Sequence, residues 1–420
     1  MTTNNDCNVV EFNRSARSKS TSGKPVAHDI AIGIERKGHK QVKSIVSDDA
    51  RTRHIILVGA SGTGKSTLMK SMICQLLDNK RGESLVLMDP HGELYDAALQ
   101  SNENKHKLMK IDLSAKNQRF SCNPLAYNAE DEWFSVSKIV NDLLETFDHM
   151  YDMRKAGGPV FELYMRNALM LLITDIDTHT LDDIEKVFLN REYRGKLVAR
   201  SEHDAVVAFW KNAESIEGEH NLANMSAYIT SKVTSFTSNP LVRNIIGRKQ
   251  NSFDFARLFR SPIKIFVKFH KGILGGTNVR LLGTILLNRI YSAAMREHQR
   301  GNKTMRCNIV LDEAHNFLTP SMIDMFPEAR KFGINMIIAH QNLGQMQSRH
   351  VNDSIDTLLS NVGNIIAFRL GPKDADFLRG YYSPSFSQSE LQNMPNFQAL
   401  ARLLTTRGVL PPSRVMTEQF

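Results

Sequence analysis

The 420-residue sequence predicts an α/β fold: a mainly parallel β-sheet flanked by helices, with an inserted all-α domain. Three observations predict it. Short, largely apolar runs recur at 55–58, 85–88, 263–267, 309–311, 336–339 and 365–368, the pattern of strands buried on both faces. Several of these runs lead into helix-like segments, which is the βα alternation that covers a parallel sheet on both sides. Between about 123 and 260 the strand-like runs vanish and a helical period takes over.

Composition narrows the class. Hydrophobic residues make up 41% and charged residues 23%, the balance of a folded globular chain and not of a disordered one. Apolar stretches such as 168–173 and 336–339 fall far short of the roughly 18–20 residues a membrane span needs. The first twenty residues carry basic side chains with no apolar segment behind them, so they are not a secretory signal. A cytoplasmic protein without a membrane span is expected. Cys7, Cys74, Cys122 and Cys307 are too scattered for a zinc site and too few to staple this length, which predicts reduced thiols. The formal charge of +9 fits either a polyanionic partner such as DNA or a solvated basic surface.

Taken in order, residues 1–50 read as a basic, flexible N-terminal arm and lead-in, of which 1–25 are rich in Ser, Asn, Lys and Arg and lack periodicity. Residues 51–122 read as the first part of the core and 123–260 as the helical insertion. In the insertion, Val136, Ile139, Val140, Leu143, Leu144 and Phe147 fall on one helical face, and Phe161, Tyr164, Met165, Ala168, Leu169 and Leu172 on another. Further helices are expected near 204–214 and 222–236. Residues 261–420 read as the second part of the core.

The first apolar run opens a phosphate-binding turn. From His54 to Thr67 the chain reads HIILVGASGTGKST, a strand, a glycine-rich turn and the start of a helix. Gly59, Gly64, Lys65 and Ser66 complete the pattern G-x-x-x-x-G-K-[ST], with Ala60, Ser61, Gly62 and Thr63 as the loop between and Thr67 following. Glycines let the backbone curl so that successive N–H groups and a helix N-terminus face phosphate oxygens. The expected ligand is ATP with Mg²⁺: Lys65 reaches the β- and γ-phosphates and the Ser66 hydroxyl ligates the metal. The pattern arises by chance in roughly one or two random chains per hundred of this length, before the flanking strand and helix are required as well.

The run at 309–311 ends in two carboxylates, Asp312 and Glu313, the order of a Walker B element. Asp312 is expected to hold the Mg²⁺ shell through water, and Glu313 to orient and polarise the attacking water, which predicts ATP hydrolysis. The letters Asp312-Glu313-Ala314-His315 also invite comparison with DEAH-box helicases. Spacing decides against it. Lys65 and Asp312 are 247 residues apart, much farther than in those helicases, and the remaining chain is too short for a second RecA-like domain.

Two further segments suit a ring ATPase with a RecA-like P-loop sheet. The run at 336–339 ends in His340 and Gln341, and the tip of that strand lies beside the γ-phosphate, so Gln341 is the expected sensor. Arg330, beside Lys331, and Arg369, after the run at 365–368, are candidate fingers that would stabilise transition-state charge in a neighbour's site; each could equally be a surface or structural ion pair.

With these residues placed, the chain resembles the HerA–FtsK superfamily of ring ATPases, especially the branch with the type IV secretion and conjugative coupling-protein (TraG-like) ATPase domains. The resemblance rests on the P-loop, on DPHGEL from Asp89 to Leu94, on EARKFGINMIIAHQNLGQ from Glu328 to Gln345, and on NVGNIIAFRLGPKDAD from Asn361 to Asp376. It implies Asp89 as a further nucleotide-site residue, and a hexameric ring that moves DNA through a central channel in conjugative transfer, DNA processing or mobile-element defence. Coupling proteins commonly begin with membrane helices and HerA proteins with a β-barrel; neither is expected here, which predicts a soluble motor with a separate partner protein. DNA would be held by sequence-independent phosphate contacts. Lys268, Lys271, the glycine-rich 272–277 and Arg280 are one candidate channel loop, or an ordinary βα turn; the arm at 14–24 is another. The alternative function is an ATP-driven switch acting on protein partners without moving DNA, against which Glu313 argues because a pure switch needs no positioned base.

Overall fold

A computed structural model describes residues 28–79, 81–102, 105–126, 133–151, 158–302, 304–346 and 352–417. The six apolar runs become β3 (Ile55–Val58), β4 (Ser84–Asp89), β6 (Lys264–Lys268), β7 (Cys307–Leu311), β8 (Ile334–His340) and β9 (Asn364–Ala367). With β5 (Met109–Asp112) they pair in parallel in the order β9-β3-β8-β7-β4-β6-β5. Alternate side chains enter two separate cores, because successive residues of a strand face opposite ways. Ile56, Val58, Val86, Met88, Ile309 and Leu311 lie in one, and Ile55, Leu57, Leu85, Leu87, Val310 and Ile337 in the other.

Each core is closed by a different set of helices. After α1 (Asp48–Arg51), α2 (Lys65–Leu77) and α3 (Glu93–Asn102) close the second core through Leu68, Met69, Met72, Ile73, Leu94 and Ala98. The first core continues into α4 (Trp133–Tyr151), α5 (Gly158–Ile173), α6 (Asp182–Leu189), α7 (Arg191–Arg200), α8 (Asp204–Ala213), α9 (Ile216–Thr237) and α10 (Pro240–Ile246). Among the described residues no strand interrupts the chain between β5 and β6. The long α11 (Gly276–Gln299) packs against α4 and ties these helices to the sheet.

The sheet is wider than the apolar runs suggest. β1 (Ile30–Lys37), β2 (Lys40–Val46), β10 (Gln398–Arg402) and β13 (Ser413–Met416) add an antiparallel edge, giving eleven strands in the order β2-β1-β13-β10-β9-β3-β8-β7-β4-β6-β5. A small hairpin, β11 (Leu404–Thr405) with β12 (Gly408–Val409), stands apart. The hairpin of β1 and β2 occupies part of what the sequence reads as lead-in; only its Ile30, Ile32 and Val46 reach the core, and Glu, Lys, Arg and Gln dilute the strand pattern. The proposed basic arm at 1–25 lies outside the described residues. Tyr382, on the helix Pro372–Tyr382, puts its hydroxyl within hydrogen-bonding distance of the Ile365 and Leu400 carbonyls (3.1 and 3.2 Å), clamping β10 beside β9.

At the N-terminal edge of the parallel block the Arg51 guanidinium is fully buried. It donates to Glu83 at 2.8 Å, Asn308 at 2.6 Å and Asp48 at 2.7 Å, so the buried charge is paired and hydrogen-bonded. Among the described residues no helix is long and apolar enough to cross a membrane.

Candidate active site

Parallel strands end together, and the loops leaving the C-terminal ends of β3, β4, β7, β8 and β9 meet along one edge. The glycine-rich turn is strung between two of them: Gly59 N–H donates to the His340 carbonyl at 3.2 Å and Ala60 N–H to the Arg369 carbonyl at 2.9 Å. Gly62 (φ 73°) and Gly64 (φ 112°) occupy the left-handed region that glycine adopts freely. A Cβ on Gly59 would come within 2.6 Å of the Phe368 Cβ, so that position has no room for a side chain. The Thr63 hydroxyl closes the turn on the Ala60 carbonyl at 2.8 Å. Ser61, Gly62, Ser66 and Thr67 remain exposed, no side chain caps α2, and no acid occupies its first turn. The free N–H groups and positive dipole end of α2 therefore face solvent, a ready anion site.

Lys65 is almost fully buried, and its ammonium donates to the Gly59 and Ala60 carbonyls at 2.5 and 3.0 Å. Burial lowers its pKa, and the carboxylates of Glu313 and Asp312 pull it back up. The lysine and the two acids, distant in sequence, thus share one site. Asp312 follows β7 with its N–H on the Met88 carbonyl at 3.1 Å. Burial first, then the negative neighbours Asp89 and Glu313, push its carboxyl up to about 7. Glu313 sits in the left-handed region (φ 46°), and its N–H donates to Asp312 Oδ1 at 3.1 Å. Burial raises the Glu313 carboxyl too, opposed by a hydrogen bond with the Gln341 side chain and by Lys65. Its Oε2 has no hydrogen-bond partner. His315 Nδ1 lies 3.4 Å from that oxygen, but burial, then Lys271 and Arg280, push the imidazole down to about 4, so at neutral pH it carries no charge.

The donor set fits a divalent cation bound mainly by phosphate oxygens and water. Among the described residues no cluster of three His, Cys, Asp or Glu could cage a metal, and Mg²⁺ is commonly held by one or two protein ligands plus a nucleotide. The Ser66 hydroxyl and the Asp312 carboxyl are the protein oxygens that would serve as those two ligands. The crowding of Asp312 by Asp89 and Glu313 is the electrostatic condition a cation relieves.

Other sequence candidates take different places. Both oxygens of the fully buried Asp89 are committed to backbone, accepting from His91 N–H at 2.8 Å and Tyr95 N–H at 2.9 Å; it shapes the turn into α3 and acts on the site through its charge. Arg369 leaves β9 next to the P-loop of its own chain. Arg330 precedes β8, at the opposite edge of the sheet, exposed and 3.3 Å from Asp49. Lys268 is paired with Asp96 at 2.7 Å and its stem lies over Gly92; Lys271 reaches Asn316 at 3.4 Å. The stretch at 271–280 is not an open loop but a short helix, Lys271–Leu274, followed by the start of α11.

Two residues at the site have no role assigned from the sequence. His340 ends β8 fully buried with neither ring nitrogen hydrogen-bonded, and burial, then His315 and Lys65, push it down to about 3. Phe397 donates its N–H to the Thr63 carbonyl at 2.8 Å, within the P-loop itself. Only the turn-forming Pro395-Asn396 ahead of the apolar 399–401 hints at a strand beginning there.

Comparison with known proteins places this geometry in a family. The profile described as type IV secretory system conjugative DNA transfer matches residues 23–378. An uncharacterized protein of Aquifex aeolicus (strain VF5) is 26% identical over 78 residues, 19% of this chain and 28% of that protein, so the match spans less than a third of that relative. Among solved structures, the bacterial conjugative coupling protein TrwBdeltaN70 is similar at 17% identity and a TM-score of 0.65, covering 91% of this chain and 90% of that one. TrwB bound to a non-hydrolysable GTP analogue is similar at 16% and 0.67, covering 94% and 96%. VirB4 of Thermoanaerobacter pseudethanolicus is similar at 15% and 0.65, covering 95% and 98%. TrwB has also been solved with ADP and Mg²⁺ and with a non-hydrolysable ATP analogue. At these identities the structural likeness establishes the RecA-like P-loop fold, and the profile establishes the lineage. The chain belongs to the type IV secretory system conjugative DNA transfer family.

Proposed function

We propose that the chain is a Mg²⁺-dependent ATPase that translocates DNA as an oligomeric ring in conjugative DNA transfer. The observation that carries the proposal is the meeting of Lys65, Asp312 and Glu313 at one sheet edge, beside an uncapped helix N-terminus. Bound Mg²⁺ supplies charge neutralisation for the phosphates; the protein's part is positioning. The N–H groups of Gly59 to Thr67 cradle the phosphates, and Lys65 exchanges its loop carbonyls for phosphate oxygens. Ser66 and Asp312 hold the metal or its water. Glu313, with a free Oε2, orients the attacking water, and Gln341 senses the γ-phosphate through its bond to Glu313.

The ring reading draws on the same geometry. The phosphate turn is exposed, and Arg330 lies at the opposite edge of its own sheet, so in a head-to-tail ring it is free to approach a neighbour's nucleotide. DNA is the cargo the family's role in conjugative transfer supports, and the +9 charge suits a phosphate backbone. Steady-state ATP hydrolysis with and without DNA of arbitrary sequence tests the proposal: DNA should raise turnover. Stimulation by a protein partner alone, with none by DNA, would favour the switch.

A further inference from the structure

The strand order gives the nucleotide site a direction. The acids follow β7, two strands from the P-loop strand β3 on one side, so the γ-phosphate end of a bound nucleotide lies toward β7. Its nucleoside end must leave toward the other side, over β9 and β10. At that position stands Phe397, immediately before β10. The antiparallel register, Leu400 opposite Ala367 and Ala401 opposite Ile366, brings the entry of β10 to the same sheet edge as the P-loop.

Phe397 is fixed there by its backbone. Its N–H donates to the Thr63 carbonyl at 2.8 Å, and its own carbonyl accepts from the Thr417 N–H at 2.8 Å and the Thr417 hydroxyl at 3.0 Å. Its backbone is left-handed (φ 59°), a conformation an aromatic residue keeps only where its surroundings impose it. The ring lies against Gly64: a Cβ added to that glycine would meet Phe397 Cδ1 at 3.0 Å. Phe397 is nevertheless only half-buried and belongs to neither hydrophobic core. An aromatic ring is therefore held by its backbone against the P-loop, beside the Phe368 ring that borders the same glycine, without being part of either core.

We propose that Phe397 is the platform on which the base of the bound nucleotide stacks, an inference that rests on reading Gly59–Thr67 as a nucleoside triphosphate site. Stacking uses the π-face that every base has, so the platform adds affinity without choosing between adenine and guanine. The Thr63 and Thr417 hydrogen bonds hold the ring in place before the nucleotide arrives, which lowers the ordering cost of binding.

Calorimetric titration of the full chain with ATP, GTP and inorganic tripolyphosphate tests this. Phe397→Ala should weaken ATP and GTP alike by about tenfold or more, while tripolyphosphate, which has no base, binds as to the wild type. Phe397→Trp should keep nucleotide affinity and give a fluorescence change with ATP, absent from the wild type and absent with tripolyphosphate. Equal weakening of tripolyphosphate and ATP would overturn the proposal, because Phe397 would then act only by shaping the P-loop. Unchanged ATP affinity in Phe397→Ala, or a tryptophan variant blind to ATP, would overturn it as well. Wild type that binds neither ligand would instead sink the nucleotide-site reading beneath it.

Discussion

The main-chain N–H of Glu313 donates to Asp312 Oδ1 at 3.1 Å across a left-handed turn at Glu313. This separates two adjacent acids into two environments. Asp312 is pushed up to about 7 by burial and then by its neighbour Asp89, while Glu313 keeps one oxygen without a partner near Gln341 and Lys65. A left-handed glutamate costs on the order of 1–3 kcal/mol, which the packed strands around it sustain. Such strain is common where a side chain must be aimed at a reaction.

Glu313→Gln keeps the shape of the side chain and removes its charge. Turnover should fall about 10²- to 10⁴-fold while nucleotide binding persists. Parallel measurement of kcat and of ATP affinity checks this, and unchanged turnover would remove Glu313 from its role.

Asp312 makes two pH predictions with a definite sign. Its folded pKa is raised from 3.8 to about 7, so below pH 7 the metal must compete with a proton, and Mg²⁺-nucleotide affinity should decline as pH falls from 8 to 6. For the ligand-free protein the same shift makes ionisation destabilising: stability is lost as pH rises from about 4 toward 7. Asp312→Asn should therefore raise Tm at pH 8 by about 2 °C or more while abolishing turnover. A lower Tm for Asp312→Asn at that pH would contradict this account of the acid cluster.

The two arginines separate by where they act. Arg369 lies beside its own P-loop, so mixing Arg369→Ala with wild type should lower activity in simple proportion to dilution. Arg330, at the far edge, should poison mixed rings beyond dilution when changed to Ala. Strictly proportional loss for Arg330→Ala, measured over a titration of mixing ratios, would remove it from any role in trans.

Arg51 tests the frame that holds the site. Removing it leaves the buried Glu83 carboxylate with only Arg306, at 3.7 Å, as a cation and Asn308 without its donor, at a cost of about 2–4 kcal/mol in Arg51→Ala. Burial tends to raise the Glu83 pKa, but Arg51, with Asn308 and Arg306, more than reverses this and the net shift is downward. The stabilisation is thus full above the ordinary value of 4.5 and fades as pH falls below it. Denaturation midpoints for wild type and Arg51→Ala at pH 7 and pH 4 should converge at the lower pH.

How much of this the sequence discloses depends on how each element is buried. Strands covered on both faces, such as Ile55–Val58 and the Leu85–Met88 stretch of β4, read as unbroken apolar runs and are legible directly. β5 shows only Ile111 fully buried, and β10 is flanked by Gln398 and Arg402, so neither announces itself. The P-loop and the acid pair are legible because phosphate chemistry fixes their spacing. Asp89 is legible as part of a signature but not in its task, because its bonds to His91 and Tyr95 exist only once the turn folds. Phe397 is silent in sequence: its value lies in a carbonyl of Thr63, more than three hundred residues earlier.

The most direct test of the central claim is the rate of ATP hydrolysis by the purified chain with Mg²⁺, with and without DNA, beside Lys65→Ala. The account predicts measurable turnover that DNA accelerates and that Lys65→Ala abolishes together with nucleotide binding. Hydrolysis that survives in Lys65→Ala, or wild-type hydrolysis indifferent to DNA, would contradict it.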